Sequence, residues 1–217
     1  MKISVFGGSG GLGSKLKEYI LHSDIFDDCS FDFLSSKTVN VINYSEVVDY
    51  INNISPDVVI NAAGINIDNL AHNYTEEDLI KMINVNINGI FNIVKASIPI
   101  MRVRSYGRLI NFSSVLSTRP IKGTSLYSSC KSFSDTFMKT VAIENAKYGI
   151  TANTIRLGYF DGGMTYKVPT EILEKVKQKI PCQRFGQIDE LASTIRNIIT
   201  CSYINGNNIE LSGGLHI

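Results

Sequence analysis

Ligands for a metal ion are scarce in this sequence. Its 217 residues include three histidines and four cysteines. No two histidines have the short helical spacing that zinc ligands use. The cysteines are far apart and form no C-x-x-C pair, so the sequence indicates neither a zinc site nor a disulfide framework. We therefore predict that the protein holds no metal.

Long apolar runs and an excess of one charge are missing as well. The N-terminal apolar run over 3–6 is too short for a signal peptide or a membrane span. Lysine and arginine total 21 against 20 aspartates and glutamates, so broad neutralisation of nucleic-acid phosphates is not expected. These features predict a cytoplasmic protein that binds neither nucleic acid nor membranes.

Short β-branched runs alternate with helical stretches along the chain. Strands are predicted over 3–6, 30–34, 39–42, 57–61, 107–112, 151–155 and 208–211. Helices are predicted over 14–21, 45–53, 75–97, 127–146, 171–179 and 190–199. Because the strands are apolar throughout, they indicate a parallel sheet covered on both faces. We expect an α/β fold with a single doubly wound, Rossmann-like parallel sheet, in one domain spanning residues 1–217.

A glycine cluster follows the first predicted strand and precedes the first helix. This context is typical of a dinucleotide-binding turn, where the backbone must turn sharply and approach a pyrophosphate closely. The helix then directs its first N–H groups at the phosphates. The residues expected to hold the cofactor here are Gly7, Ser9, Gly10, Gly11, Leu12 and Gly13.

The spacing Gly7-x-x-x-Gly11-x-Gly13 resembles the T-G-x-x-x-G-x-G loop of the short-chain dehydrogenase/reductase family, with Phe6 in place of the usual threonine. Further motifs of that family follow in order. They are Asn61-Ala62-Ala63-Gly64 for N-N-A-G, 84–89 for N-V-N-x-x-G, Tyr127-x-x-x-Lys131, and Ser114 thirteen positions before the tyrosine. The tail over 180–186 and 206–214 resembles the branch that contains the carrier-protein ketoreductases.

Tyr127 and Lys131 lie four residues apart and therefore share one face of a helix. An ammonium lowers the pKa of a neighbouring phenol from its usual value of ~10, so we expect Tyr127 to exchange a proton with a carbonyl oxygen. Ser114 would hydrogen-bond the same oxygen. The resemblance implies that Lys131 also holds the nicotinamide ribose and that Asn86 supports a water-linked proton relay. The neighbouring Asn84 and Asn88 are alternatives for Asn86.

The resemblance implies an NAD(P)-dependent oxidoreductase, with NADPH-dependent reduction of a carbonyl to an alcohol as the first hypothesis. Two alternatives stay open. One is a non-catalytic nucleotide-binding protein on the same fold, and the other is a sugar-nucleotide epimerase or dehydratase. The family also implies cofactor contacts from Asn61, Ala62, Ala63, Gly64, Tyr127, Lys131 and Gly158.

The choice of cofactor depends on where the second strand ends. If it ends at Leu34, the next residues are Ser35, Ser36 and Lys37, whose hydroxyls and cation suit the 2′-phosphate of NADP. If it ends at Asp32, an acid stands where NAD enzymes bind the ribose hydroxyls. We expect NADP(H), with NAD(H) as the alternative. Asn40 is expected to contact the adenine.

The chain departs from the family in several places. We expect the helix between the predicted second and third strands to be missing or much reduced, and the family's P-G turn is Leu157-Gly158 here. Gly162 stands where a threonine often contacts the nicotinamide. A lid over the substrate pocket is predicted for 159–180, with Leu116 and Met164 against the substrate. The family resemblance implies a homodimer or homotetramer, and three apolar residues of the tyrosine helix are either interface or core, namely Phe133, Phe137 and Val141.

Overall fold

A computed structural model describes residues 1–162 and 170–215 and contains one six-stranded parallel sheet. The strands are Lys2–Phe6 (β1), Ser30–Leu34 (β2), Val58–Asn61 (β3), Gly107–Ser114 (β4), Ile150–Leu157 (β5) and Asn208–Leu211 (β6). Their order across the sheet is β2-β1-β3-β4-β5-β6. The chain therefore leaves β1 toward β2 and returns past it to β3, which makes the carboxyl ends of β1 and β3 a topological switch point.

Helices cover both faces of the sheet, so the expectation of a doubly wound, Rossmann-like fold is confirmed. The helices are Gly11–Leu21 (α1), Tyr44–Ile54 (α2), Glu76–Ile83 (α3), Gly89–Arg104 (α4), Ser125–Asn145 (α5), Thr170–Lys179 (α6) and Ile188–Thr200 (α7). One core lies between the sheet and α2, α4 and α5, and a second lies between the sheet and α1 and α7. The apolar strands are buried because each sheet face carries a layer of helices.

The strand predicted over 39–42 is wrong. This segment is a turn after β2, in which the Val39 N–H donates to the Ser35 oxygen and the Asn43 N–H donates to the Asn40 oxygen. Its alternating pattern arises because Val39 and Val41 are buried against α4 while their neighbours are not. The expectation that the helix after the second strand is absent or much reduced is therefore wrong too, because α2 connects β2 to β3.

The single helix predicted over 75–97 is also wrong. Its start is confirmed, since Thr75 and Asp78 form a reciprocal capping box with both distances at 3.1 Å. A π-helical turn over Asn84–Asn88 then separates α3 from α4. Such turns are rare and are frequent at functional sites.

The other predicted elements exist, and the strands over 30–34 and 208–211 have the predicted ends while others are shifted. Helix α1 begins three residues earlier than predicted, at Gly11, and β4 continues two residues further, to Ser114. Within the described ranges, no helix is long and apolar enough to cross a bilayer, and no three metal-ligating side chains are grouped together.

Candidate active site

The carboxyl ends of β1, β3, β4 and β5 meet along one edge of the sheet. This edge carries the glycine loop after β1, the turn Ala62-Ala63-Gly64 after β3, and Ser114 at the end of β4. Ligands of open α/β sheets bind in the crevice outside these strand ends. The fold therefore brings together motifs that are far apart in the sequence, from the glycine loop at 7–13 to Ser114.

The glycine loop is compact because it folds closely on itself and against the ends of β2 and β3. Gly7 has φ +81°, and a Cβ there would lie 2.5 Å from the Ala63 nitrogen. A Cβ on Gly13 would lie 2.4 Å from the Gly7 oxygen. The Gly8 N–H donates to the Leu34 oxygen at 2.7 Å, which ties the loop to the end of β2. Side chains are thus excluded at the points where the loop contacts the ends of β2 and β3.

The first turn of α1 presents uncapped backbone N–H groups. Gly10 is the N-cap residue, no side chain caps the helix, and the first turn contains no acidic residue. Ser9 and Gly11 are exposed, while Leu12 packs partly into the second core. Unpaired N–H groups at a helix N-terminus bind anions, and the helix dipole favours negative charge there. These residues fit the pyrophosphate of a dinucleotide.

Asn61 supports the turn after β3. Its Nδ2 donates to Asn111 Oδ1 at 2.8 Å, and its Oδ1 accepts from the Ala63 N–H at 3.2 Å. The side chain is buried, so it braces the turn and leaves cofactor contacts to the backbone. Gly64 is exposed, and a Cβ there would lie 3.1 Å from Asn86 Oδ1 and 3.4 Å from Lys131 Nζ. The missing side chain leaves room beside both groups.

Asn86 occupies the middle of the π-helical turn and is buried. Its Oδ1 accepts from the Ile65 N–H at 3.2 Å, and its Nδ2 donates to the oxygens of Ile65 and Met82, each at 3.0 Å. From this turn the side chain therefore bonds to the loop after β3. In contrast, Asn84 and Asn88 hydrogen-bond to each other on the exposed side.

Ser114 and Tyr127 lie beside each other at the end of β4. Ser114 Oγ accepts from the Leu116 N–H at 3.2 Å and lies close enough to hydrogen-bond the phenol of Tyr127. Burial raises the pKa of Tyr127 to about 12, while the hydrogen bond with Ser114 lowers it. The expectation of a pKa below the usual ~10 is wrong, because burial outweighs the groups that lower the pKa of Tyr127. Tyr127 is consequently protonated at neutral pH, which suits a proton donor.

Lys131 lies behind Tyr127 on α5 and is 7% exposed. Its Nζ lies 5.5 Å from the centre of the Tyr127 ring and donates to the Phe112 oxygen at 2.8 Å. Burial lowers the pKa of Lys131 to about 8. An ammonium has three donors, so the Phe112 carbonyl leaves two for other acceptors at this point.

β2 ends at Leu34, so the alternative that ends the strand at Asp32 is wrong. Asp32 Oδ2 accepts a hydrogen bond from the Tyr50 hydroxyl at 2.6 Å, and this hydroxyl lies 2.7 Å from Ser4 Oγ. Asp32 is therefore engaged within the sheet, two residues before the strand end. The assignment of Asp32 to the ribose hydroxyls of NAD assumes that it ends the strand. Because it lies before the strand end, that assignment no longer has a basis.

The turn after Leu34 divides the predicted phosphate-binding residues into two groups. Ser35 Oγ accepts from the Lys37 N–H at 3.2 Å and lies 3.4 Å from Thr38 Oγ1, so it stabilises the turn. Ser36 and Lys37 have exposed side chains at the edge that carries the glycine loop. Asn40 is half-buried, and its Oδ1 accepts from the Ile42 N–H at 3.3 Å.

Two of the departures from the family pattern have a packing reason. A Cβ on Gly158 would lie 2.9 Å from the Ser212 Cα, so this glycine permits the contact between the loop after β5 and the chain after β6. Gly162 has φ +130°, and a Cβ there would lie 2.5 Å from Lys15 Cδ. Lys15 Nζ donates to the Asp161 oxygen at 2.6 Å, which ties this loop to α1.

The predicted lid lies partly outside the described residues. Met164, Tyr166, Lys167 and Val168 fall in 163–169, and the structure describes no side chain for Ile172. Of the described part, Phe160 bridges to Gly186, and Tyr159 packs in a cluster with Val115 and Ile180. Leu116 packs against the apolar cluster that contains Tyr127.

Sequence reasoning missed three groups near the site. Asn111 accepts the hydrogen bond of Asn61, and its own Nδ2 is buried with no partner among the described residues. Asp68, in the loop after β3, raises the pKa of both Tyr127 and Tyr159 in addition to the larger effect of burial. Asp135 lies one helical turn beyond Lys131 and pairs with Arg156. The only sequence feature that could have pointed to Asp135 is its position four residues after Lys131.

Comparison with known proteins relates the whole chain to one group of enzymes. A family model described as enoyl-(acyl carrier protein) reductase matches residues 42–216. The acetoacetyl-CoA reductase of Shinella zoogloeoides is 35% identical over 161 residues, which cover 73% of this chain and 67% of that protein. A 3-oxoacyl-(acyl-carrier-protein) reductase of Buchnera aphidicola is 31% identical over 202 residues, which cover 90% and 81%.

A solved structure shows the same fold. The crystal structure of a 3-oxoacyl-(acyl-carrier protein) reductase from Brucella melitensis matches with a TM-score of 0.89 at 21% identity, covering 100% of this chain and 91% of that one. Together with the family model and the relatives, the ordered motifs along the strand ends lead to one assignment. The chain belongs to the short-chain dehydrogenase/reductase family and is an NAD(P)-dependent oxidoreductase acting on carbonyl and hydroxyl groups.

Proposed function

We propose that this chain uses NADPH to reduce the 3-oxo group of an acyl thioester, and that residues 1–217 form the one domain that does so. The observation that carries the proposal is the convergence of Ser114, Tyr127, Lys131 and Asn86 beside the glycine loop. The relatives named for acetoacetyl-CoA and 3-oxoacyl carriers support this substrate class. A sugar-nucleotide epimerase or a non-catalytic protein is not favoured by these relatives.

The proposed chemistry needs a proton donor at the carbonyl oxygen. When bound, the nicotinamide supplies the hydride that the carbonyl carbon receives. Tyr127, whose pKa burial raises to about 12, is protonated at neutral pH and donates the proton to the oxygen. Ser114 donates a hydrogen bond that holds this oxygen in place and stabilises the charge that develops on it.

Lys131 and Asn86 have supporting roles in the proposal. The Lys131 ammonium favours the phenolate that remains on Tyr127 after proton transfer, and it binds the nicotinamide ribose hydroxyls. Asn86 shapes the loop at Ile65 and holds a water that returns the proton by way of Lys131. The space beside Gly64 is open to both side chains, which suits such a water and the ribose.

The proposed cofactor contacts follow from the loops along the sheet edge. The N–H groups of 9–13 bind the pyrophosphate, and Ala62, Ala63, Gly64 and Gly158 approach the cofactor with backbone only. Ser36 and Lys37 bind the 2′-phosphate, with the Lys37 cation as the main determinant of the preference for NADPH. Ser35 holds this turn in shape, and Asn40 lies at the adenine end.

Replacing Lys37 with methionine tests the cofactor and the reaction together. We expect the Kd for NADPH to rise about ten-fold, the equivalent of about 1.4 kcal/mol, because one exposed charge-phosphate interaction is lost. The Kd for NADH should change less than about two-fold, because NADH lacks that phosphate. Fluorescence titration measures binding, and oxidation of each cofactor by acetoacetyl-CoA measures kcat/KM.

Lys17→Met is the matched control, since Lys17 is an exposed lysine on α1 that the proposal does not use. It should leave both affinities unchanged. Equal weakening of NADH and NADPH by Lys37→Met would contradict the assignment of Lys37. Failure of the unmodified protein to oxidise either cofactor with acetoacetyl-CoA would contradict the substrate class.

The partner we propose for α4 and α5 is a second copy of the chain. Phe91 and Phe133 are 45% and 38% exposed, and Phe137 stacks on Phe133 at 5.5 Å. A groove of about 260 Å³ continues this surface along Ile98 and Pro99. Exposed apolar patches of this kind mark protein interfaces. Val141, in contrast, is buried core.

Phe133→Asp is expected to dissociate the oligomer, because a carboxylate in an apolar interface loses its hydration without a partner. Light scattering coupled to size exclusion would then give the monomer mass. Leu21→Asp is the control, since Leu21 is 69% exposed at the end of α1, on the opposite face of the sheet. An unchanged mass for Phe133→Asp, or a monomeric parent protein, would contradict this interface.

The cytoplasmic location stays a prediction from the sequence.

A further inference from the structure

A buried ion pair lies one helical turn beyond Lys131. Tyr127, Lys131 and Asp135 follow one another at intervals of four residues on α5 and are 5%, 7% and 4% exposed. Residues spaced by four lie on the same face of a helix as neighbours. The row therefore continues from the proposed proton donor through its lysine to a carboxylate, which neither the family motif nor the proposed function uses.

Asp135 is held by a neighbouring strand. Its Oδ2 accepts a hydrogen bond from Arg156 Nε of β5 at 2.7 Å, and its Oδ1 is buried with no partner among the described residues. In the amide orientation that satisfies both of its atoms, Asn208 accepts from Arg156 at 2.8 Å and from Lys139 at 3.3 Å. Arg156 of β5 and Asn208 of β6 thus hold Asp135 Oδ2 in place, while Asp135 Oδ1 accepts no hydrogen bond from the described residues.

Among the described residues, few other groups supply negative charge near Lys131. The Phe112 oxygen of β4 and Asn86 of the π-helical turn, which lie near its ammonium, are neutral. Burial lowers the pKa of Lys131, while Cys130 and Asp135 raise it. The remaining charged or titratable groups around this row are Tyr127 on α5, Asp68 facing Tyr127 from the loop after β3, Arg156 on β5 and Lys139 by way of Asn208.

We propose that Asp135 and Arg156 are a positioning pair for Lys131: the Asp135 carboxylate keeps the buried ammonium charged, and Arg156 limits how much of that negative charge acts on it. An ammonium that loses water needs compensating charge. Charge supplied from one turn away leaves the ammonium N–H groups for the Phe112 carbonyl and the cofactor. The contribution of this pair to catalysis rests on the proposed role of Lys131. Its effect on the charge of Lys131 does not depend on that role.

NMR titration of the Lys131 side chain in isotopically labelled protein tests the pair, with the signal assigned by its loss in Lys131→Met. In Asp135→Asn, which removes the anion and leaves Arg156, we expect the midpoint to fall by about one pH unit. In Arg156→Gln, which leaves the anion without its partner, we expect the midpoint to rise. Opposite shifts are the diagnostic result, since a merely structural pair would lower thermal stability in both variants without moving Lys131 in opposite directions.

Arg156→Lys keeps the charge and should restore the midpoint of the unmodified protein. If the single variants do not fold, Asp135→Leu combined with Arg156→Met replaces the pair by apolar groups of similar volume, a change that buried pairs often tolerate. Its Lys131 midpoint should fall, because the variant removes Asp135, which raises the pKa of Lys131. An unchanged midpoint in Asp135→Asn or in this double variant would overturn the proposal. The titration needs no substrate, so a failure of the proposed reaction would leave this test intact and would be seen separately.

Discussion

Replacing Tyr127 with phenylalanine is expected to lower kcat for carbonyl reduction by about 10²–10⁴-fold, the usual contribution of a positioned proton donor. The change removes only the hydroxyl, and the ring stays in its cluster with Met82 and Cys130. Tyr127 is protonated at neutral pH, with its pKa raised by burial to about 12, so the loss of kcat reflects the missing proton donor. Steady-state kinetics with NADPH and acetoacetyl-CoA measures the effect.

Binding of the cofactor separates this effect from a damaged site. The Kd for NADPH should change less than about three-fold, since the proposal assigns cofactor affinity mainly to backbone N–H groups, Lys37 and Lys131. Tyr159→Phe is the comparison variant, because Tyr159 is a half-buried tyrosine at the start of the predicted lid that is also affected by Asp68 but donates no proton in the proposal. Retention of activity by Tyr127→Phe, or an equal loss in Tyr159→Phe, would remove Tyr127 from the mechanism.

Replacing Gly7 with alanine is expected to lower the free energy of unfolding by about 3 kcal/mol and to abolish dinucleotide binding. A left-handed backbone costs a residue with a Cβ about 1–2 kcal/mol, and forced repacking of a dense site adds about 1–3 kcal/mol. Both apply, since Gly7 has φ +81° and its Cβ would lie 2.5 Å from the Ala63 nitrogen. The displaced loop could no longer direct the α1 N–H groups at a pyrophosphate. Urea denaturation and NADPH titration measure the two effects.

Gly206→Ala isolates the backbone contribution. Gly206 has φ +69°, but a Cβ there would lie 3.5 Å from Ala142 Cβ, which is ordinary contact, and the residue is remote from the glycine loop. We expect about 1–2 kcal/mol of destabilisation with unchanged NADPH binding. If Gly7→Ala and Gly206→Ala lose the same stability and both bind NADPH, then the close approach of Ala63 to Gly7 does not shape the dinucleotide-binding loop.

The local sequence was sufficient for most of the fold. Six of the seven strands predicted from apolar, β-branched runs are present in the structure. The glycine loop lies between its predicted strand and helix, because the seven residues 7–13 encode the turn by themselves. The spacings of Tyr127 to Lys131 and of Thr75 to Asp78 also express local helix geometry. These features depend on neighbours in the chain, which is why they could be predicted from it.

The errors occurred where a distant contact reverses a local preference. Val39 and Val41 resemble a strand but are buried in a turn against α4, whose Asn92 donates to the Val41 oxygen at 2.9 Å. The periodicity over 75–97 shows no break, yet the π-helical turn at Asn86 bonds to the loop after β3. Hydrogen bonds across 21 and 51 residues decided both cases.

The sequence by itself determined the family, the order of the motifs and the residue types available for hydride-transfer chemistry, because each depends on spacing along the chain. Only the tertiary structure decided that Asp32 bonds to Tyr50, that burial sets the pKa values of Tyr127 and Lys131, and that Asp135 meets Arg156. The physical reason is that charge and protonation depend on solvent exclusion and on partners from other strands and helices. These arise only when the sheet and its two helical layers pack together.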